Sequence, residues 1–223
     1  MSKNILIVGA SGLVGGEILK NLKTTNNDLI LLSRKKLLCE NSINQIVIDF
    51  ENIDSLDASL KVDEIYIAIG QKLSLSELVY IKKNNRKSFV NVDYNYIKKV
   101  AEFAKKCGAS SIGLISAIGA NSKSFNTYLK VKGDVEQEIK LVGYKKIIIA
   151  HPSHLLGKRA GEDIPLNVKV FEQITNLFGL LMIGPLQKFR NVEAKKVAKA
   201  IISKMDSVEK GIHYIDYKYF KNF

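Results

Sequence analysis

Tyr128 and Lys132 stand four residues apart in the segment SFNTYLKVKGDVEQEI. Residues at that spacing share one face of a helix. The ammonium would then lie beside the phenol, favour the phenolate, and move the tyrosine pKa down from its usual ~10 toward working pH. Such a phenol can exchange a proton with a carbonyl or an alcohol. Lysine is abundant here, and Tyr94/Lys98, Tyr214/Lys218 and Tyr217/Lys221 share the spacing, so position has to separate the four. Ligands of parallel α/β sheets bind beyond the carboxyl ends of the strands, so a working pair should follow a central strand that ends in a hydroxyl. Ser116, in SIGLISAIGAN twelve residues before Tyr128, meets that condition for this pair alone. The other three pairs read as structural or surface residues.

A second chemistry is suggested by Gly9-Ala10-Ser11-Gly12-Leu13-Val14-Gly15, a G-x-x-G-x-x-G sequence between the apolar run NILIV and the helical pattern GLVGGEILKNL. Glycines in that setting permit a tight turn, let a pyrophosphate approach the backbone, and allow helix and strand to pack closely. The helix amino end then offers unpaired N–H groups and a partial positive charge to phosphates. No Gly-Lys-Ser/Thr follows, which excludes the phosphate loop of nucleoside triphosphatases. The expectation is a dinucleotide site. Its second strand ends LILLSRKK, with Ser33 and Arg34 where NAD sites usually carry an acid. Arginine can pair with a 2′-phosphate through two charge-assisted bonds, so NADP(H) is preferred and NAD(H) is possible. Asp49 and Phe50, after the third strand, would lie beside the adenine. Ala68, Ile69 and Gly70, after the fourth, would run close to the cofactor's midsection.

The elements that must hold these residues are strand-length apolar runs near 4–8, 29–32, 46–48, 64–69, 111–115, 145–150 and 212–216. They alternate with segments of helical period, GLVGGEILKNL, DYNYIKKVAEFAKKCG and SFNTYLKVKGDVEQEIKLV, and two further helices are expected over 167–180 and 191–205. Continuous apolar strands alternating with helices describe a parallel sheet covered on both faces. The fold class is therefore α/β, a Rossmann-like doubly wound parallel sheet. One domain over 1–223 is expected, with a cofactor-binding core over 1–155 and a small helical substrate-side segment over 156–223.

With 46% hydrophobic residues, three prolines and no low-complexity tract, the 223 residues are enough for one well-buried core. The apolar runs are far shorter than the ~18 residues of a membrane span, so no membrane partner is expected. Cys39 and Cys107 are far apart, as in a reducing compartment, and a cytoplasmic location follows. The net charge of +12 comes from lysines spread along solvated helix faces, with no aromatic platform beside them, so no nucleic-acid partner is expected. His151, His154 and His213 show no ligand spacing, and no metal is expected.

Taken together, GASGLVG, LLSRKK, VDYNYIKKVAEFAKKCG, LISAIGANSKSFNTYLKVKGDVEQEI and HPSHLLGKR resemble the short-chain dehydrogenase/reductase superfamily. Within it they are most similar to small atypical NAD(P)-binding members related to the Tat-interacting oxidoreductase. The resemblance covers most of the chain up to about residue 160, and S-A-x-G-A…Y-L-x-V-K-G-x-x-E is its most specific block. It implies that Ser116 positions and polarises the substrate oxygen, that Tyr128 is the acid/base, and that Lys132 binds the nicotinamide ribose and lowers the tyrosine pKa. It also places Pro152 and Ser153 against the nicotinamide, and a homodimer would pair helices around 93–107 and 122–140. The chain departs from the pattern at His151, where such relatives tend to have Arg. The asparagine of the proton relay has no assignable counterpart, Asn91 being a guess. The function implied is an NADP(H)-dependent oxidoreductase acting on a small carbonyl or alcohol. An NADPH-binding redox sensor or interaction protein is the alternative, and an isomerase or epimerase using the same cofactor transiently is a third.

Overall fold

The computed structural model describes residues 2–39, 43–157, 184–207 and 209–223. Nine strands occur among them: β1 Asn4–Val8, β2 Asp28–Ser33, β3 Asn44–Val47, β4 Glu64–Ile67, β5 Ser111–Ile115, β6 Lys146–Ala150, β7 Leu155–Leu156, β8 Val192–Glu193 and β9 Gly211–Ile215. Seven form one sheet in the order β3-β2-β1-β4-β5-β6-β9, every neighbouring pair parallel, while β7 pairs only with β8. From β1 the chain first builds outward to β3, then returns to β4 and builds the other way. The sequence order thus reverses between β1 and β4, which opens a crevice at their carboxyl ends.

The central strands β1, β2, β4, β5 and β6 are mainly apolar without alternation because both faces are covered. Ile5 and Ile7 of β1 enter a core with helix α1 (Leu13–Leu22), whereas Leu6 and Val8 point to the opposite core. Val14, Ile18 and Leu22 put a stripe at four-residue intervals on the inner side of α1. Each such side chain, fully buried, contributes roughly 1.5–3 kcal/mol. Two short helices, α2 (Leu75–Val79) and α3 (Lys83–Val90), follow β4. From α3 the backbone runs through a π turn, Asn91–Tyr96, straight into α4 (Ile97–Lys106). Ile97, Val100, Ala101 and Ala104 of α4 and Val135 and Ile139 of α5 (Thr127–Leu141) cover the Leu6 face.

The described part of the carboxyl-terminal segment packs on the sheet. Helix α6 (Ala194–Asp206) buries Val197, Ala198, Ile201 and Met205 in the same core as α1, β9 extends the sheet beside β6, and α7 (Tyr217–Phe220) closes that layer with Phe220. The helix expected from Asn191 begins at Ala194, with Glu193 as its cap, because Val192 and Glu193 are spent on β8. The helix expected over 167–180 lies outside the described residues.

Candidate active site

The loop after β1 is shaped by contacts between backbones. Gly9 has φ +93°, and a Cβ built on it would lie 2.6 Å from the carbonyl carbon and oxygen of Ala68, at the end of β4. Gly15 stands against Gly9 in turn, its Cβ position 2.1 Å from the Gly9 oxygen. The Gly12 N–H donates to the Gly9 oxygen at 2.8 Å, closing a tight turn. Helix α1 then starts at Gly12 with no side-chain cap and no acid in its first turn. A helix amino end so arranged suits an anion.

From this loop a cleft of about 580 Å³ runs along the sheet's carboxyl edge. Gly9, Ser11, Gly12, Leu13 and Val14 line it at the loop, Ser33 and Arg34 at the end of β2, Phe50 after β3, and Ala68, Ile69 and Gly70 after β4. Ser116, Tyr128 and Lys132 line its other end. The structure therefore brings most of the expected residues into one groove long enough to join a phosphate-binding helix end to a proton-transfer pair. These residues fit a nicotinamide dinucleotide. Five expected contacts stand elsewhere. Ala10 is buried in the core beside α1, Gly15 packs behind the loop, and Asp49 accepts the Glu51 N–H at 3.1 Å as the cap of the Phe50–Ser55 turn. Ser153 donates its hydroxyl to the Arg190 oxygen, and the Pro152 oxygen accepts the Ile118 N–H at 2.9 Å. Neither lines the cleft; Leu155 of β7 does. No described residue of 156–223 lines it either.

Helix α5 delivers the proton-transfer pair. Asn126 caps it by accepting the Leu129 N–H at 3.0 Å, and its amide donates to the oxygens of Leu78 and Val79 at 2.9 and 3.0 Å, tying α5 to α2. A Cβ at Gly133 would lie 2.2 Å from the Ser122 nitrogen, so the helix is docked on the loop after β5 through a position only glycine fits. Tyr128 is half-buried, with Phe89 of α3 5.9 Å from its ring centre.

Lys132 does not face the phenol alone. Its Nζ lies 2.8 Å from Asp93 Oδ1, the two side chains 7% and 2% exposed. Burial opposes the Lys132 ammonium, but Asp93, Tyr128 and Glu136 outweigh it and its pKa is raised. The Tyr128 pKa is also raised. Burial is the largest cause, Lys132 pulls it back, and Asp93 pushes it up again. This corrects the expectation that Lys132 brings the phenol below its ordinary value: burial of the phenol outweighs the pull of the ammonium, and the carboxylate of Asp93 weakens that pull further. Removing either partner of such a buried pair costs about 3–5 kcal/mol.

Ser116 donates its hydroxyl proton to Glu136 Oε1, and the same oxygen lies 2.8 Å from His151 Nε2. His151 thus serves as the partner of a buried carboxylate. Toward the cleft Ser116 keeps only lone pairs. Asn91 belongs to the opposite end, where its amide donates to Glu51 Oε1 at 2.6 Å and to the Tyr96 hydroxyl at 3.1 Å. The Tyr96 hydroxyl also donates to Glu51, and these bonds hold the Glu51 carboxyl below its usual range. Tyr96 meets Phe50 edge to face at 5.6 Å, an aromatic pair suited to a purine. Sequence reasoning missed Asp93, Tyr96 and Glu136. The only available signals were that Asp93 and Tyr96 precede α4 by a few residues, and that Glu136 follows Lys132 by one helical turn.

Among curated proteins, the chain is 32% identical over 165 residues to Protein HTATIP2 of Rattus norvegicus, a match covering 71% of this chain and 65% of the rat protein. It is 30% identical over 176 residues to Protein FMP52, mitochondrial, of Lodderomyces elongisporus, covering 71% and 69%. Against Protein FMP52, mitochondrial, of Candida albicans it is 28% identical over 214 residues, covering 93% and 88%. The match therefore spans just under two thirds of the rat protein's length. No family model matches. Among solved structures, a short chain dehydrogenase family protein from Francisella tularensis superposes with TM-score 0.67 at 17% identity, over 99% of this chain and 100% of that one. The Bordetella bronchiseptica enzyme WbmH in complex with NAD+ gives TM-score 0.70 at 13% identity, over 97% and 76%. At these identities the likeness is one of fold. No helix among the described residues is long and apolar enough to cross a membrane.

Proposed function

We propose, because the chain belongs to the family of atypical short-chain dehydrogenase/reductases that includes rat Protein HTATIP2 and the fungal FMP52 proteins, that it is an NADP(H)-dependent oxidoreductase acting on a small carbonyl or alcohol. The observation that carries this reading is that Ser116, Tyr128 and Lys132 line the same cleft as the uncapped start of α1 and Arg34. The backbone of Ser11–Val14 holds the pyrophosphate, Arg34 takes the 2′-phosphate, and Phe50 with Tyr96 flanks the adenine. Lys132 and the backbone near Gly70 take the second ribose. Bound there, the cofactor supplies the hydride. The chain's own residues handle the proton. The Tyr128 phenol gives it to the substrate oxygen in reduction and recovers it in oxidation. Ser116 orients that oxygen, accepting an alcohol's hydroxyl while its own proton is held by Glu136. Cys39 and Cys107 are free thiols, and we place the protein in the cytoplasm on that basis; the word mitochondrial belongs to the fungal relatives' names.

Calorimetric titration with NADPH and NADH tests the reading, alongside a panel of carbonyls followed by nucleotide absorbance. NADPH is expected to bind more tightly. Arg34→Asp removes charge-assisted bonds of about 1.5–3 kcal/mol, so its NADPH affinity should fall about tenfold or more while NADH binding changes little. An equal loss for both would remove the 2′-phosphate assignment, and no heat with either nucleotide would remove the oxidoreductase reading itself.

A further inference from the structure

The carboxylate on Lys132 joins three parts of the molecule. Asp93 Oδ1 meets Lys132 Nζ of α5 at 2.8 Å, and Oδ2 accepts the Gln71 N–H at 2.7 Å from the chain after β4. Asp93 itself sits on the π turn between α3 and α4. A Cβ at Gly70 would lie 3.1 Å from Asp93 Oδ1 and 3.8 Å from Lys132 Nζ, so the pair abuts the backbone bordering the cleft. A surface ion pair would be screened and mobile, whereas this one is enclosed and held by backbone on a second side. We propose that Asp93 is a positioning residue that neutralises Lys132 and so keeps Tyr128 in its phenol form.

The physical basis is the difference between a charge and a dipole. An isolated ammonium one helical turn from a phenol strongly favours the phenolate. With a carboxylate 2.8 Å away, the phenol feels a pair of opposite charges whose fields largely cancel. The other charged or titratable groups around the pair are Glu136 on α5, which holds the Ser116 proton and His151 Nε2, and Lys72 in the cleft wall after β4. Tyr128 packs on the ring of Phe89 of α3, in an apolar cluster that Val90 of α3, Val131 of α5 and the ring of Tyr94 on the π turn share. Asp93 is the ion-pair partner of the ammonium. In the oxidoreductase reading, on which this consequence rests, the phenol is the form that gives a proton to a substrate oxygen. Asp93 thereby poises the site for reduction.

The test is a pH titration of the nucleotide-free, full-length chain labelled with [ζ-13C]tyrosine. Among nine tyrosines, the Tyr128 resonance is assigned by its loss in Tyr128→Phe. Asp93→Asn keeps shape and removes charge, and is expected to move the Tyr128 inflection to lower pH. Lys132→Met moves it higher, and the double variant falls between the two. A merely structural Asp93 would leave a folded Asp93→Asn protein titrating as wild type, and that result overturns the proposal. Should Asp93→Asn alone fail to fold around its uncompensated ammonium, the step from Lys132→Met to the double variant gives the same answer. A downward shift supports the proposal and an unmoved inflection overturns it. No nucleotide or substrate takes part, so failure to bind NADPH would remove the oxidoreductase reading while the titration still decides the role of Asp93.

Discussion

Replacing Tyr128 by phenylalanine is expected to cut turnover on the order of 10³-fold, in the middle of the range for loss of a positioned proton donor. NADPH affinity should stay within about tenfold of wild type, the worth of one hydrogen bond. The split between the two effects follows from where the hydroxyl sits. The ring packs on Phe89 and lines the cleft, and phenylalanine keeps that ring, so the groove's shape survives. What disappears, in the proposed reaction, is the phenol proton that would pass to the substrate oxygen. Ser116 cannot replace it, since its hydroxyl proton is committed to Glu136. Lys132 cannot either, because its ammonium is held by Asp93 and its pKa is raised, which makes it a poorer acid. Steady-state rates on the carbonyl substrate that the panel identifies, paired with calorimetry on the same preparation, check both halves. Turnover unchanged in the variant would take Tyr128 out of the mechanism.

The architecture could be read from sequence wherever burial was simple. The runs 4–8 and 111–115 are strands over those same residues, since aliphatic side chains buried on both faces leave no ambiguity of period. The run 64–69 ends two residues early because Ala68 turns toward Gly9, although its N–H still donates to the Val8 oxygen at 2.8 Å. At the sheet's edge, Asn44 and Gln45 begin β3 although neither is apolar, because this edge strand is nowhere fully buried. The region 83–96 was harder. Lys83–Val90 buries only Phe89, so it shows no stripe, and the π turn that follows breaks the 3.6-residue period on which helix reading depends.

The same turn hid part of the site. Asp93 reads in sequence as an ordinary polar residue near the start of a solvated helix, and its burial against Lys132 depends on a backbone register that periodicity does not encode. That Tyr128, Lys132 and Ser116 would lie in one cleft was legible because their placement depends on local spacing and on the ends of strands. The field acting on Tyr128 was not legible, because it comes from a charge 39 positions before Lys132 in the chain. The glycines were readable as a loop that brings backbones together, but only the packing around each one separates the glycine that must be glycine from its neighbour.

Alanine at Gly15 is therefore expected to lower thermal stability and nucleotide affinity together, while alanine at Gly16, one residue along, leaves both near wild type. Helix propensity alone favours both changes, by about 1 kcal/mol each. What separates them is what the new methyl group meets. At Gly15 it would lie 2.1 Å from the Gly9 oxygen and 2.6 Å from the Gly9 carbon, and Gly9 cannot retreat because Ala68 fills the space behind it. Helix α1 would have to move instead, against a core in which Val14, Ile18 and Leu22 are already packed. Overpacking of that kind costs about 1–3 kcal/mol or more, enough to exceed the propensity gain. A net loss of about 2 kcal/mol corresponds to a Tm lower by about 4–8 °C for a chain of this size. The displaced amides also lose their aim on the phosphates, at about tenfold or more in affinity for each charge-assisted bond broken. At Gly16 the methyl group meets the Ala10 oxygen at 3.3 Å, a contact relieved by a few tenths of an ångström. Scanning calorimetry and NADPH titration of the two variants decide the matter. If Gly15→Ala matches Gly16→Ala in both, the wedge of three backbones does not set the loop's shape, and the assignment of that loop to a pyrophosphate loses its physical basis.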